Sequence, residues 1–128
     1  MAACGLDFGT SNTTLGVAAA NGDARLAALE GEATSLPSAV FFDFESAGMS
    51  VGRAAIEAYV AGHEGRLMRS LKSVLGTSLI DEDTLLLRSR VGFRDVIGRF
   101  LASVKRRAET ECGQIGRASC RERVFILV

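Results

Sequence analysis

The chain opens on an apolar run ending at Gly5-Leu6-Asp7-Phe8, breaks at Gly9-Thr10-Ser11-Asn12, and resumes as Thr13-Thr14-Leu15-Gly16-Val17-Ala18. Glycine and small polar residues between two apolar or β-branched runs are turn chemistry, so this pattern predicts a β-hairpin. Asn21-Gly22-Asp23 is a second turn signal, Arg25 to Leu29 a weak strand, and Gly31 to Ser35 a polar loop ending at Leu36-Pro37. Ser38-Ala39-Val40-Phe41-Phe42 reads as a short strand apolar enough to be buried on both faces. The first 50 residues are therefore expected to be a β meander.

After Gly52 the period changes. Ala55, Ile56, Tyr59 and Val60 recur at helical spacing up to Gly62, and Leu67, Met68, Leu71, Val74 and Leu75 repeat it up to Gly76, predicting two short amphipathic helices. Asp81-Glu82-Asp83 reads as an acidic loop, and Leu85-Leu86-Leu87 as either a strand or a helical fragment. A longer helix is expected where Val96, Ile97, Phe100, Leu101, Val104 and Ala108 share one face, with Gly113 as its stop. Beyond it, Ile115 to Val124 resembles the read-through tail of a truncated gene model, which makes 113–128 a candidate non-native tail. The alternative is a true strand, Val124 to Val128, pairing with the N-terminal sheet.

A length of 128 residues with 48% apolar content suits one packed domain and excludes a disordered chain. A chain this long buries about two-thirds of its unfolded surface, so neither disulfides nor a structural metal is needed as a staple. The formal charge is zero, but residues 1–64 carry two bases against eight acids and residues 65–128 thirteen bases against seven acids. The bases are interleaved with acids along expected helices, which is a solvated face rather than a nucleic-acid surface. Cys4, Cys112 and Cys120 lack the short spacings of zinc knuckles or redox pairs, and fit reduced thiols in a cytosol. His63 is the sole histidine, which excludes a His-rich metal site. With no long apolar run and an acidic residue, Asp7, where a signal peptide would be apolar, the expectation is a soluble cytoplasmic protein without a membrane partner.

The sharpest chemistry lies at Asp7 and Gly9-Thr10-Ser11-Asn12. Backbone N–H groups of a tight turn can converge on phosphate oxygens, Gly9 lets the main chain come close, and Thr10, Ser11 and Asn12 add side-chain donors. Asp7 beside them can hold Mg²⁺, an ion often bound through one carboxylate, its waters and the phosphates. Together they make part of a phosphoryl-transfer site, in which the protein mainly positions groups and neutralises charge. The plain alternative is an Asp-capped glycine turn with no ligand. The chain has neither G-x-x-x-x-G-K-[ST] nor G-x-G-x-x-G, and Asp7-Phe8-Gly9 lacks the upstream parts of a protein kinase.

Gly5 to Asn12 resembles the first phosphate motif of the superfamily of actin, sugar kinases and DnaK-type heat-shock chaperones. Leu36-Pro37-Ser38-Ala39-Val40-Phe41-Phe42, Val51-Gly52-Arg53-Ala54-Ala55 and Leu71-Lys72-Ser73-Val74-Leu75-Gly76 are similar to the chaperones in order and spacing. Arg66 to Lys72 most resembles the YegD-type subgroup. The resemblance covers roughly 3–112 and implies an α/β protein: the first lobe of an actin-like, ribonuclease H-like ATPase fold, an opening β meander on a mixed sheet followed by helices, with 1–112 a partial nucleotide-binding domain. It implies ATP and Mg as ligands, with Gly9, Thr10, Ser11 and Asn12 lining the triphosphate and Asp7 reaching Mg²⁺ through water. It also implies client proteins bound through domains outside this chain. Where the chaperones place a catalytic lysine, this chain has Ile56, with Lys72 as a conceivable substitute. Two other functions share the fold: a sugar or acetate-type kinase, and a non-hydrolysing actin-like scaffold.

Overall fold

The computed structural model describes residues 3–19, 21–86 and 89–113; the expectations for the tail beyond Gly113 lie outside these. The predicted hairpin is present as β1 (Ala3–Phe8) and β2 (Asn12–Ala18), antiparallel from Ala3↔Ala18 to Phe8↔Thr13. Along β2, Thr13, Leu15 and Val17 are buried and the residues between them are not, so one face meets the core. β3 (Ala24–Leu26) and β4 (Ser35–Pro37) both pair with β2, at Gly16↔Leu26 and Asn12↔Pro37. The weak strand expected from Arg25 to Leu29 is thus confined to three residues. Ala27 and Leu29, just past it, are buried in the core.

The expected strand over Ser38–Phe42 is β5 (Ala39–Asp43), and Ala39 to Phe42 are all buried. It does not continue the first sheet. Instead β5 is the centre of a second antiparallel sheet between β6 (Met49–Val51) and β7 (Gly65–Arg69), covered by α1 (Arg53–Val60). The meander therefore stops at β3, β4 returns to pair with β2, and the chain starts a new sheet at β5.

One of the two expected short helices is absent. Residues 65–69 form β7, with Leu67 opposite Phe41 and Met68 opposite Val40, and Leu71–Val74 is a single 3₁₀ turn entered through Ser70 at φ 55°. The adjacent apolar pair that mimics a helical face serves two faces of a strand: Met68 enters the main core and Leu67 a smaller cluster with Ala39, Phe41 and Ala55. Gly65 is required there, because a Cβ would run into the Phe41 ring and the Phe42 carbonyl.

Leu85 and Leu86 belong to a strand: β8 (Asp83–Leu86) pairs with β9 (Ser89–Gly92), with Leu86 buried and Leu85 exposed. Of the expected acidic loop, Asp81 ends a 3₁₀ turn from Ser78 and Asp83 opens β8. The long helix is α2 (Phe93–Cys112), stopped by Gly113 at φ 83°. Its predicted face is the one that packs: Val96, Ile97, Phe100, Val104 and Ala108 are buried, with Ser103, against Phe8, Leu15, Val17 and Leu36 of the first sheet. Over the described residues the protein is a mixed α/β molecule of antiparallel sheets and two α-helices. Every pairing among the described residues is antiparallel and strands recur between the helices, which corrects the expectation of a mixed sheet followed by helices. No described helix is long and apolar enough to cross a membrane.

Candidate functional site

The alternation of β1 decides where its chemistry points. Phe8 is buried against Phe100 of α2 with ring centroids 5.6 Å apart, and its neighbour Asp7 must then face the other way, where it is exposed opposite Thr14. Among the described residues the Asp7 carboxylate makes no hydrogen bond or ion pair, leaving its oxygens to water or to a ligand.

After Phe8 the chain reverses over Gly9 to Asn12, closed by the Gly9 N–H donating to the Asn12 carbonyl at 3.0 Å. A Cβ on Gly9 would collide with that same carbonyl oxygen, so glycine is needed for a steric reason and not for a positive φ. Thr10, Ser11 and Asn12 are exposed. The backbone N–H groups of Thr10 and Ser11 donate no hydrogen bond among the described residues. All five sequence-predicted residues are thus brought to one tip of the first sheet, presenting undonated N–H groups, two hydroxyls and a carboxamide beside a carboxylate.

No group of three or more His, Cys, Asp or Glu among the described residues could hold a metal unaided. Asp7 alone is too few ligands for a resident ion, but it suits Mg²⁺ carried in on phosphates, which retains most of its waters. The donors nearby are of the right class for an anion.

Sequence reasoning missed the floor beneath the turn. Ser38, 2% exposed, donates its hydroxyl to the Gly9 carbonyl at 2.8 Å, lies 2.8 Å from the hydroxyl of the fully buried Thr13, and gives its N–H to the Ser11 carbonyl at 2.9 Å. The available clue was a serine interrupting two apolar strands, since a buried hydroxyl has to find partners.

Neither of the two positions considered for a phosphate-facing cation, Ile56 and Lys72, supplies one to the turn. Ile56 packs on the small cluster of Ala39, Phe41 and Ala55, where a lysine would have to work its ammonium out past apolar neighbours. Lys72 lies in the 3₁₀ turn Leu71–Val74 and makes no hydrogen bond or ion pair with residues Asp7 to Asn12.

Other places are less suited to chemistry. A cavity of about 430 Å³ between β5, the β8–β9 hairpin and α2 is lined by Phe42, Phe44, Leu86 and Val91, and its two charged groups are already engaged. Arg99 pairs with Asp95 at 2.9 Å, and the Asp43 carboxylate accepts the Glu45 and Ser46 N–H groups at 2.8 and 3.0 Å. Those N–H donors, Ser46 first, with His63 adding a smaller pull, hold Asp43 below the usual carboxylate range. A depressed folded-state pKa contributes stability above the ordinary carboxylate range, lost as pH falls through the lowered value. Thermal melts of the native chain should therefore show a loss on acidification that Asp43→Asn flattens; parallel pH profiles for the two proteins would refute this.

The thiol of Cys112, the last residue of α2, is shifted the other way. Burial, then the Glu111 carboxylate that accepts its S–H at 2.6 Å, push its thiol up and keep it protonated at neutral pH.

Comparison with protein-family models and with curated proteins finds no match to this chain.

Proposed function

We propose that this chain is the opening part of the ATPase domain of a DnaK-type heat-shock-like protein, and that the turn Gly9–Asn12 grips the phosphates of Mg–ATP. The observation that carries the reading is the pairing of undonated Thr10 and Ser11 N–H groups with the exposed, unengaged Asp7 carboxylate at one sheet tip. Backbone N–H groups supply the anion contacts, the Thr10 and Ser11 hydroxyls and the Asn12 amide add reach, and Asp7 takes the magnesium through water. Bound Mg–ATP brings the phosphoryl chemistry; this chain's residues bind and orient it. The actin-like fold, the coupling to client proteins through other domains and the cytoplasmic setting belong to the same proposal.

A second reading is favoured by one observation. Ile56 is an apolar packing residue, so α1 offers no cation to polarise a phosphate or orient water at that position. That fits an actin-like nucleotide-binding scaffold without hydrolysis better than a sugar or acetate-type kinase.

A turn that contacts only the phosphates binds weakly, with an expected dissociation constant of about 1 mM, near −4 kcal/mol. Titrating Mg–ATP into the isotope-labelled chain should shift the amide resonances of Gly9 to Asn12. Asp7→Ala should make the affinity the same with and without magnesium. Shifts confined to other residues, or none at concentrations well above that constant, would remove the proposal.

A further inference from the structure

We propose that Ser38 is the positioning residue of the turn: it sets the direction of the Thr10 peptide N–H, one of the two that meet the anion, and holds the peptide planes on either side of the other. This rests on the phosphate-binding reading of the same site and names a part that reading does not contain. Ser38 stands between β4 and β5, remote in sequence from the hairpin, directly after Pro37, whose ring restricts its own φ. Its single hydroxyl hydrogen goes to the Gly9 carbonyl, so in the 2.8 Å contact with Thr13 it is the Thr13 hydroxyl that donates. Both hydroxyls are buried and none is left without a partner.

The consequence follows from peptide geometry. In a planar trans peptide the N–H points opposite to the C=O. Ser38 holds the Gly9 carbonyl with its side chain and the Ser11 carbonyl with its own N–H at 2.9 Å, so two alternate peptide planes of the turn are fixed by one residue. The N–H on the far side of the first plane is that of Thr10, one of the turn's two undonated donors, and it is turned away from Ser38. The peptide between those planes, from Thr10 to Ser11, carries the other undonated N–H, that of Ser11, and is the one that Ser38 leaves to adjust to a ligand. A turn whose donors are already aimed loses less freedom on binding.

Four forms of the full chain test this by Mg–ATP titration with amide detection: native, Ser38→Ala, Thr13→Val and Thr13→Ser. With chain folding checked by the Phe8 and Phe100 resonances, Ser38→Ala should weaken binding about fivefold or more, Thr13→Val should weaken it less, and Thr13→Ser, which keeps the hydroxyl, should stay within about twofold of native. Exchange of the Gly9 N–H should rise in Ser38→Ala while exchange within α2 stays as it was, a pattern that general destabilisation would not give. A folded Ser38→Ala chain that binds like the native one and keeps native Gly9 exchange overturns the inference. If the native chain itself binds no Mg–ATP, the phosphate reading fails, and Gly9 exchange alone then decides whether Ser38 orders the turn. If Ser38→Ala does not fold, the Thr13→Val and Thr13→Ser pair decides: equal affinity in the two overturns the inference.

Discussion

Phe100→Ala should cost about 3–5 kcal/mol, in the range of large-to-small aromatic deletions in a closed core. The ring is fully buried at the centre of α2's inner face and packs on Phe8 at 5.6 Å, tilted by 35°. Removing it deletes the apolar area that seats the helix on the first sheet and leaves a void that Val96, Val104 and Leu36, all fully or almost fully buried, cannot close without shifting. A domain of this size is typically stable by only about 5–15 kcal/mol, so the variant should lie near its unfolding threshold. The effect should also reach function. Phe8 directly precedes the turn, and once it loses its partner, the alternation that points Asp7 outward is less firmly anchored. Denaturant unfolding followed by circular dichroism would check the magnitude, and a loss below about 1 kcal/mol would show that α2 is not docked this way.

Glu30→Ala should cost about 2–3 kcal/mol, second only to the aromatic deletion. Its carboxylate side chain is 13% exposed and receives the Arg53 guanidinium at 2.6 Å and the Arg53 backbone N–H at 2.9 Å, with Arg107 of α2 at 3.6 Å. Arg53 is the first residue of α1, which has no acidic residue in its first turn and no side-chain cap from Gly52. Glu30 therefore supplies from a distant loop the acceptor that a helix start lacks. It also ties that start to α2. Alanine would leave the Arg53 N–H without its carboxylate and the two guanidinium groups facing each other. A double-mutant cycle with Arg53→Ala should give a coupling above about 0.5 kcal/mol, and strict additivity would reduce the contact to a surface ion pair of little weight.

Where local chemistry and environment agree, the elements can be read directly from the chain. The first hairpin follows from a glycine-led polar turn between two apolar runs, and the face of α2 from apolar residues at helical spacing that ends at a glycine with positive φ. The candidate site is equally legible in its contents: Asp7 and Gly9 to Asn12 are adjacent in sequence, and a tight reversal necessarily brings them together. The stretch from Leu67 to Leu75 misleads because neighbouring apolar residues look alike whether they crowd one helical face or line both faces of a strand. The partner strand β5, which pairs Phe41 with Leu67 and Val40 with Met68, lies far enough away that no local window contains it.

Alternation within β1 and the sterics of Gly9 determine, from nearest-neighbour geometry alone, that a carboxylate and a polar turn share the tip of a strand. Which way the turn's donors aim, what caps α1, and which sheet each strand joins depend on Ser38, Glu30 and β5 arriving from elsewhere. Hydrogen bonds and packing act over a few ångströms of space and are indifferent to separation along the chain, so only the folded arrangement could decide them.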